Sequence, residues 1–448
     1  METTQKLAET VRDLLDGGRH ERLAQVVEEA HAADVAAALR DLPGPEQLTV
    51  FRLLNHEQAG LVLSELDDQL LLEVARALDE TEISGILDRM QPDDAAQVLD
   101  ELPEEQQEKV LDLMKEEKSE DVQELLEYGE KTAGRIMSLD VLAVHESNTV
   151  GQAIDHVRKA PSAESAHYLY VLDDHEHLVG ALDLRRLITA DPATPVGMIC
   201  KDDVVSVTPE TDQEEVAKLV AKYDIVAVPV VNRDHRLLGV ITVDDVIDVI
   251  REEATEDIQR MAGAAGDETV FDDARTVFPK RLLWRFVNLG TAILAASVIG
   301  LFESSIQTLA TLAVFMPIVA SMGGIGTTQT ATVVVRGIAL GDMTQAHVWR
   351  VLKKEALLGV STGVANAVVM AAIAYLWKGQ ALLAAIIGVA LVFNMLVAAV
   401  VGVVVPLALK TFRVDPAIAS SVIITTFTDV CGFFSFLGLA TLLIRFLL

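Results

Sequence analysis

Asp429 stands in Thr425-Thr426-Phe427-Thr428-Asp429-Val430-Cys431-Gly432, inside an apolar stretch long enough to cross a bilayer. A carboxylate at the bilayer centre costs at least ~2.5 kcal/mol, so it requires a partner or water. No lysine or arginine shares its depth, because Lys353, Lys354 and Lys410 all belong to the ends of apolar stretches. An unpaired carboxylate in a cation pathway is the simplest account. Ser421, Thr425 and Thr428 recur at helical spacing, and Asp429 follows Thr425 by one turn. The four side chains can therefore share one stripe. Such oxygen ligands suit a hard cation that gives up its water reluctantly, Mg2+ first among them. The plainer reading of any one hydroxyl is a bond back to its own helix.

A second acidic set precedes the apolar part: Asp244, Asp245, Asp248, Glu252, Glu253, Glu256 and Asp257. On a helix, Glu252 and Glu256 share a face, as do Glu253 and Asp257, and like charges so placed repel by a few tenths of a kcal/mol. A bound divalent cation would relieve that repulsion. The alternative is a solvated helix face. A third feature is Ser321-Met322-Gly323-Gly324-Ile325-Gly326-Thr327-Thr328-Gln329-Thr330, with Pro317 upstream. Its glycines permit a break at membrane depth where backbone lines a cavity.

The elements that must hold these groups follow from charge and hydropathy. The chain has 448 residues, is 51% hydrophobic and carries a net charge of −31. From Lys280 onward, eleven bases face five acids, a net +6, while the preceding segment carries −37. An acidic soluble front thus precedes an apolar, mildly basic back. The front repels nucleic acid and attracts cations. With two distant cysteines and no basic-then-apolar leader, it is expected to stay in a reducing cytosol. Five spans are expected at about 283–302, 305–322, 355–377, 381–409 and 416–444, the first two joined as a hairpin. Lysine and arginine placement puts the N-terminal region inside and the C-terminus outside.

Residues 1–129 read as short amphipathic helices that need stacking to share a core. Residues 136–253 hold a repeat: Tyr168-Leu169-Tyr170-Val171-Leu172 with Leu178-Val179-Gly180-Ala181-Leu182 returns 59 positions later as Ala227-Val228-Pro229-Val230-Val231 with Leu237-Leu238-Gly239-Val240-Ile241. This resembles a tandem pair of CBS modules. In that family the Thr and Asp matching Thr242 and Asp245 hold an adenine nucleotide; Tyr170, on the first copy's strand, can stack on a base, the plainer reading being a core aromatic. ATP is the nucleotide implied. Helix capping by Thr242 and Asp245 is the competing account. In the first copy, Asp183 and Arg186 replace that pair.

Taken in order, the parts resemble the MgtE-type magnesium channel/transporter family over the whole chain. The motifs that carry the resemblance are Thr211-Asp212-Gln213-Glu214-Glu215, Val243-Asp244-Asp245-Val246, Glu253-Ala254-Thr255-Glu256-Asp257, Val414-Asp415-Pro416-Ala417 and Thr428-Asp429-Val430. The resemblance implies four parts: an all-α superhelical domain (1–129), α/β tandem CBS domains (130–253), a connector or plug helix (254–279) and a five-span α-helical membrane domain (280–448). It also implies a homodimer in the lipid bilayer, with Asp429 in the pore. Cytoplasmic Mg2+ would close that pore from a sensor including Glu214, Asp224, Asp245, Glu253, Glu256, Asp257 and Asp415. One departure bears on the pore lining: Ile325 stands where the family carries an amide, and Thr327 where it carries glycine. Alternatives are carriage of Co2+ or Ca2+, or a membrane-anchored sensor that conducts nothing. No P-loop or hydrolytic motif is present, so gradient-driven movement rather than enzymatic turnover is expected.

Overall fold

The computed structural model describes the chain except Met1, residues 161–167, Phe271, residues 344–346, Ala419 and Leu448. It forms two compact units, Met1–Arg251 and Glu252–Leu448.

The first unit begins with short helices running from Glu2–Asp16 to Glu116–Glu127. Their lengths, such as 8 residues for Gly44–Phe51 and 15 for Glu2–Asp16, are too short for independent stability. Stacking supplies the stability. Glu2–Asp16 packs on Ala32–Arg40, which packs on His56–Ser64, then Glu80–Leu87, then Glu104–Leu113. Leu39, Leu63 and Leu87 are fully buried along that stack. Side-chain caps start several helices: Asn55 and Asp67 each accept a backbone N–H, and Asp79 forms a reciprocal capping box with Glu82.

The 59-residue sequence repeat is also a repeat of strand register. In the first copy Tyr168 pairs with Asp183, and in the second Ala227 pairs with Thr242, both antiparallel. Even the irregularity returns, between Val171 and Leu172 and again between Val230 and Val231. The repeated glycine has a steric cause. A Cβ on Gly239 would lie 2.7 Å from the Ser138 carbonyl, and one on Gly180 would lie 2.6 Å from Cys200 Sγ. A neighbouring chain segment crosses tightly at that point in each copy, which only glycine allows. The core of the second copy, including Val216, Val228, Ile241 and Val246, is continuous with the core of the helical stack. The first copy keeps its own core around Leu169, Val171 and Leu182.

The second unit holds five helices long and apolar enough to cross a membrane: Ala274–Gly300, Thr311–Ala339, Val348–Lys378, Ala381–Thr411 and Ser420–Leu447. They are called spans one to five below. Span four is the hub, with 61% of its most apolar window buried against its neighbours, while the corresponding figure for span one is 6%. Span four packs on spans two, three and five through small residues. A Cβ on Gly359 would lie 2.7 Å from the Met395 carbonyl, and one on Gly402 would lie 2.8 Å from Thr330 Cβ. Close backbone approach of this kind replaces the hydrophobic drive that lipid cannot provide.

Two expectations about this unit are corrected. A short helix, Glu303–Thr308, separates spans one and two, so the connection is longer than the tight hairpin expected. Span two does not break at its glycines. It continues as one helix to Ala339, with Pro317 inside it. Gly323 and Gly326 serve as notches for Asn394 and Met395 of span four, and Gly324 faces Thr425 of span five.

Candidate functional site

Asp429 lies in the middle of span five and is half-buried. Among the described residues, no lysine or arginine forms an ion pair with it. The hydroxyls beside it are turned to their own helix. Thr426 Oγ1 donates to the Val422 carbonyl at 2.6 Å, and Thr428 Oγ1 to the Thr425 carbonyl at 2.9 Å. Thr425 Oγ1 donates to the Val422 carbonyl at 3.3 Å. Back-bonding uses the hydrogen and leaves the oxygen lone pairs as acceptors. Thr428 is fully buried in the bundle and so leaves the expected stripe, whereas Thr425 faces Gly324 of span two, where a Cβ would lie 3.8 Å from its methyl. The side chain of Ser421 lies outside the described residues. Of the two family departures, Ile325 is exposed, and Thr327 is buried with Oγ1 donating to the Gly323 carbonyl at 3.0 Å.

Two buried polar residues of the membrane unit went unnoticed in the sequence. Asn394 of span four is fully buried and donates from Nδ2 to the Val319 carbonyl of span two at 2.9 Å. Glu355 of span three is buried, accepting from Thr330 Oγ1 at 3.2 Å and from Lys354 Nζ at 2.9 Å. Each polar residue within an apolar run was a legible signal, because such groups in membrane helices face the bundle.

In the same unit, the acidic connector gathers on one cation. Arg260 pairs with both Glu256 and Asp415, and Glu253 adds to the field that holds its guanidinium protonated against the cost of burial. Glu256 is buried. Asp257 lies on the same helix, Val243–Met261. The motif-matched residues Glu253, Glu256 and Asp415 are thus brought together around an arginine that sequence reasoning did not single out.

In the first unit, Asp93 and Asp94 open the helix Pro92–Asp100 and confront Asp244, Asp245 and Asp248. Burial and then the Asp94 and Asp245 charges push Asp93 up to about 8, and its Oδ1 is buried without a partner. Burial, opposed by a bond from Thr242 and reinforced by Asp244 and Asp94, places Asp245 at about 6. Burial also raises Asp94, against a Ser64 hydrogen bond. Asp93 and Asp94 were missed because their charges meet those of Asp244 to Asp248 only in the folded unit. Glu214, in the first turn of the helix Gln213–Tyr223, pairs with Lys218 at 2.8 Å. Asp224 ends that helix in a left-handed conformation, φ 52°. Neither joins the acidic face just described. Among the described residues, no three His, Cys, Asp or Glu side chains converge as a metal-ligand group.

Thr242 Oγ1 donates to Asp245 Oδ2 at 2.7 Å, and the Thr242 N–H approaches the same oxygen at 3.2 Å. The pair closes on itself as a helix cap. Tyr170 is buried between the strand pairs, with its hydroxyl unpartnered. Burial holds its phenol well above the usual range.

These features match known proteins part by part. Residues 316–439 match a family described as divalent cation transporter, residues 30–131 the MgtE intracellular N domain, and residues 133–193 and 196–252 the CBS domain. The class is therefore a membrane transporter of divalent cations with a CBS-bearing region outside the membrane. The chain is 34% identical to the magnesium transporter MgtE of Thermus thermophilus over 98% of its own length and 99% of that protein's. It is 32% identical to the Bacillus subtilis magnesium transporter MgtE over 96% of each. It belongs to the MgtE family of magnesium transporters. A crystal structure of the cytosolic domain of the Mg2+ channel MgtE in complex with ATP aligns with 54% of this chain and 99% of that one, at 37% identity and a TM-score of 0.52. The soluble part of a magnesium transporter aligns with 56% of this chain, at 29% identity and the same TM-score.

Proposed function

We propose that the chain carries Mg2+ across the cytoplasmic membrane as a gradient-driven homodimeric channel that cytoplasmic Mg2+ closes. The observation that carries the pathway is Asp429: a carboxylate at mid-span, without a basic partner among the described residues, one turn beyond the Thr425 that faces Gly324 of span two. Such a group attracts a divalent cation, and the ion needs to shed little of its water to pass. The small buried share of span one, with Leu283, Phe286, Ile293 and Leu294 exposed, supports a second subunit or lipid against it. Closure would come from acidic surfaces that repel when empty and are held together when Mg2+ occupies them. Two such surfaces are available: Asp93, Asp94, Asp244, Asp245 and Asp248, and, separately, Glu253, Glu256, Asp257 and Asp415. Glu214 and Asp224 belong to the proposal by motif alone. The lysine and arginine distribution supports an inside N-terminal region and an outside C-terminus. The CBS pair is proposed to take ATP at Tyr170, Thr242 and Asp245. The orphan Tyr170 hydroxyl supports that assignment, and the closed Thr242–Asp245 cap requires the pair to open first.

The test is Mg2+ uptake into proteoliposomes under an inside-negative potential, wild type beside Asp429→Asn. Uptake by the wild type alone is expected. Equal uptake by the folded, inserted variant would remove Asp429 from the pathway.

A further inference from the structure

Asn394 does more than fill space between spans. Its Nδ2 is committed to the Val319 carbonyl of span two at 2.9 Å, which fixes which way the amide faces. Flipping it would set two carbonyl oxygens against each other. Its Oδ1 is buried with no hydrogen-bond donor. On either side of the amide stands a glycine. A methyl on Gly432 of span five would lie 2.7 Å from Nδ2 and 3.0 Å from Cγ. A methyl on Gly323 of span two would likewise fall closest to Nδ2, with Cγ at 3.0 Å and Oδ1 at 3.2 Å. Both glycine faces thus close on the amide, each lying nearer Nδ2 than the orphan Oδ1. Three helices meet at one side chain, and no Cβ can be added to either neighbour without moving it. Gly432 is one turn beyond Asp429 on the same helix.

We propose that Asn394 is a positioning residue for Asp429: wedged between Gly323 and Gly432, it sets the spacing of spans two and five and so decides which hydrated cation the carboxylate accepts. The inference rests on Asp429 lying in the pathway. A wider or shifted gap changes how far the carboxylate reaches. Mg2+ is more sensitive to this than Ca2+, because Mg2+ holds its water in a strict octahedron while Ca2+ tolerates irregular coordination.

The experiment uses full-length protein in liposomes and compares wild type, Asn394→Ala, Gly432→Ala, Asp429→Asn and Gly388→Ala. A Cβ on Gly388 meets only ordinary contacts at 3.6 Å, so that variant controls for an added methyl in the bundle. Half-saturation for Mg2+ and the Mg2+-to-Ca2+ uptake ratio are measured per inserted protein. Asn394→Ala and Gly432→Ala should each shift both quantities several-fold, with Gly388→Ala unchanged. If both variants keep wild-type half-saturation and ratio, or lose only inserted protein, Asn394 merely packs the bundle and the proposal fails. Should Asn394→Ala not insert, Asn394→Ser carries the same expectation. Full flux through Asp429→Asn would instead overturn the pathway reading beneath it, so the two failures are separable.

Discussion

The water-facing first unit and the membrane-spanning helices of the second treat charge in opposite ways. The first unit meets water with many carboxylates, and where they crowd, as at Asp93, Asp94, Asp244, Asp245 and Asp248, burial and mutual repulsion raise several of them together. The membrane-spanning helices admit very few, and Asp429 and Glu355 each have a distinct environment. Water screens and shares charge, so an acidic surface acts collectively and tolerates the loss of one member. Lipid does neither, so a single intramembrane group carries consequences alone.

The largest expected effect breaks the comparison at its sharpest point. Asp429→Asn changes one atom and should reduce Mg2+ uptake to that of empty liposomes. Any residual concentration-dependent uptake would mean that the membrane unit also shares its task. Next, replacing Glu253, Glu256 and Asp257 together by Gln, Gln and Asn should raise the Mg2+ concentration needed for closure, measured as channel activity against internal Mg2+. The single replacements should shift it much less, as a collective surface requires. An unchanged closing concentration in the triple variant returns the cluster to a solvated helix face.

A third change runs in the reverse direction. Arg260 neutralises Glu256 and Asp415. Arg260→Gln should leave them more negative, so closure should occur at lower internal Mg2+; closure at a higher concentration would mean that Arg260 builds the sensor rather than competes with it.

The fourth concerns pH. Asp93 and Asp245, pushed up to about 8 and about 6, hold protons in the folded unit that the unfolded chain has released. Folded pKa values above the unfolded ones mean that stability falls as pH rises from about 4 toward about 8. Without divalent cations, thermal unfolding of the full-length protein should therefore show a lower midpoint for its soluble part at pH 8 than at pH 6. Asp93→Asn should flatten that slope, and Mg2+ should offset it more at pH 8. The smallest effect is local: Asp79→Ala removes the side-chain acceptor of a capping box while keeping the backbone N–H that Glu82 accepts, and should cost about 1 kcal/mol by denaturation, with uptake unaffected.

Much was legible before folding because it depends on local pattern. Uninterrupted apolar runs gave four of the five spans close to their observed positions, and the 59-residue repeat predicted two strand pairs whose registers coincide. Span two was cut short at its glycines because glycine reads as a breaker when its neighbours are unknown. The partners that fill its notches, Asn394 among them, lie more than 60 residues away.

From its sequence alone, the chain determined that an acidic, water-exposed front precedes five apolar spans, that the front contains a duplicated strand pair, and that one carboxylate must be kept in lipid. Those are properties of composition and short-range order, set by hydrophobicity and backbone preference. Only the tertiary structure decided that Thr428 turns inward, that Arg260 gathers Glu256 and Asp415, that Asp93 meets Asp245, and that Asn394 lies between Gly323 and Gly432. The physical reason is the range of the forces involved. Burial, Coulomb repulsion and steric fit depend on distances in space, and residues far apart in the chain have no such distance until it folds.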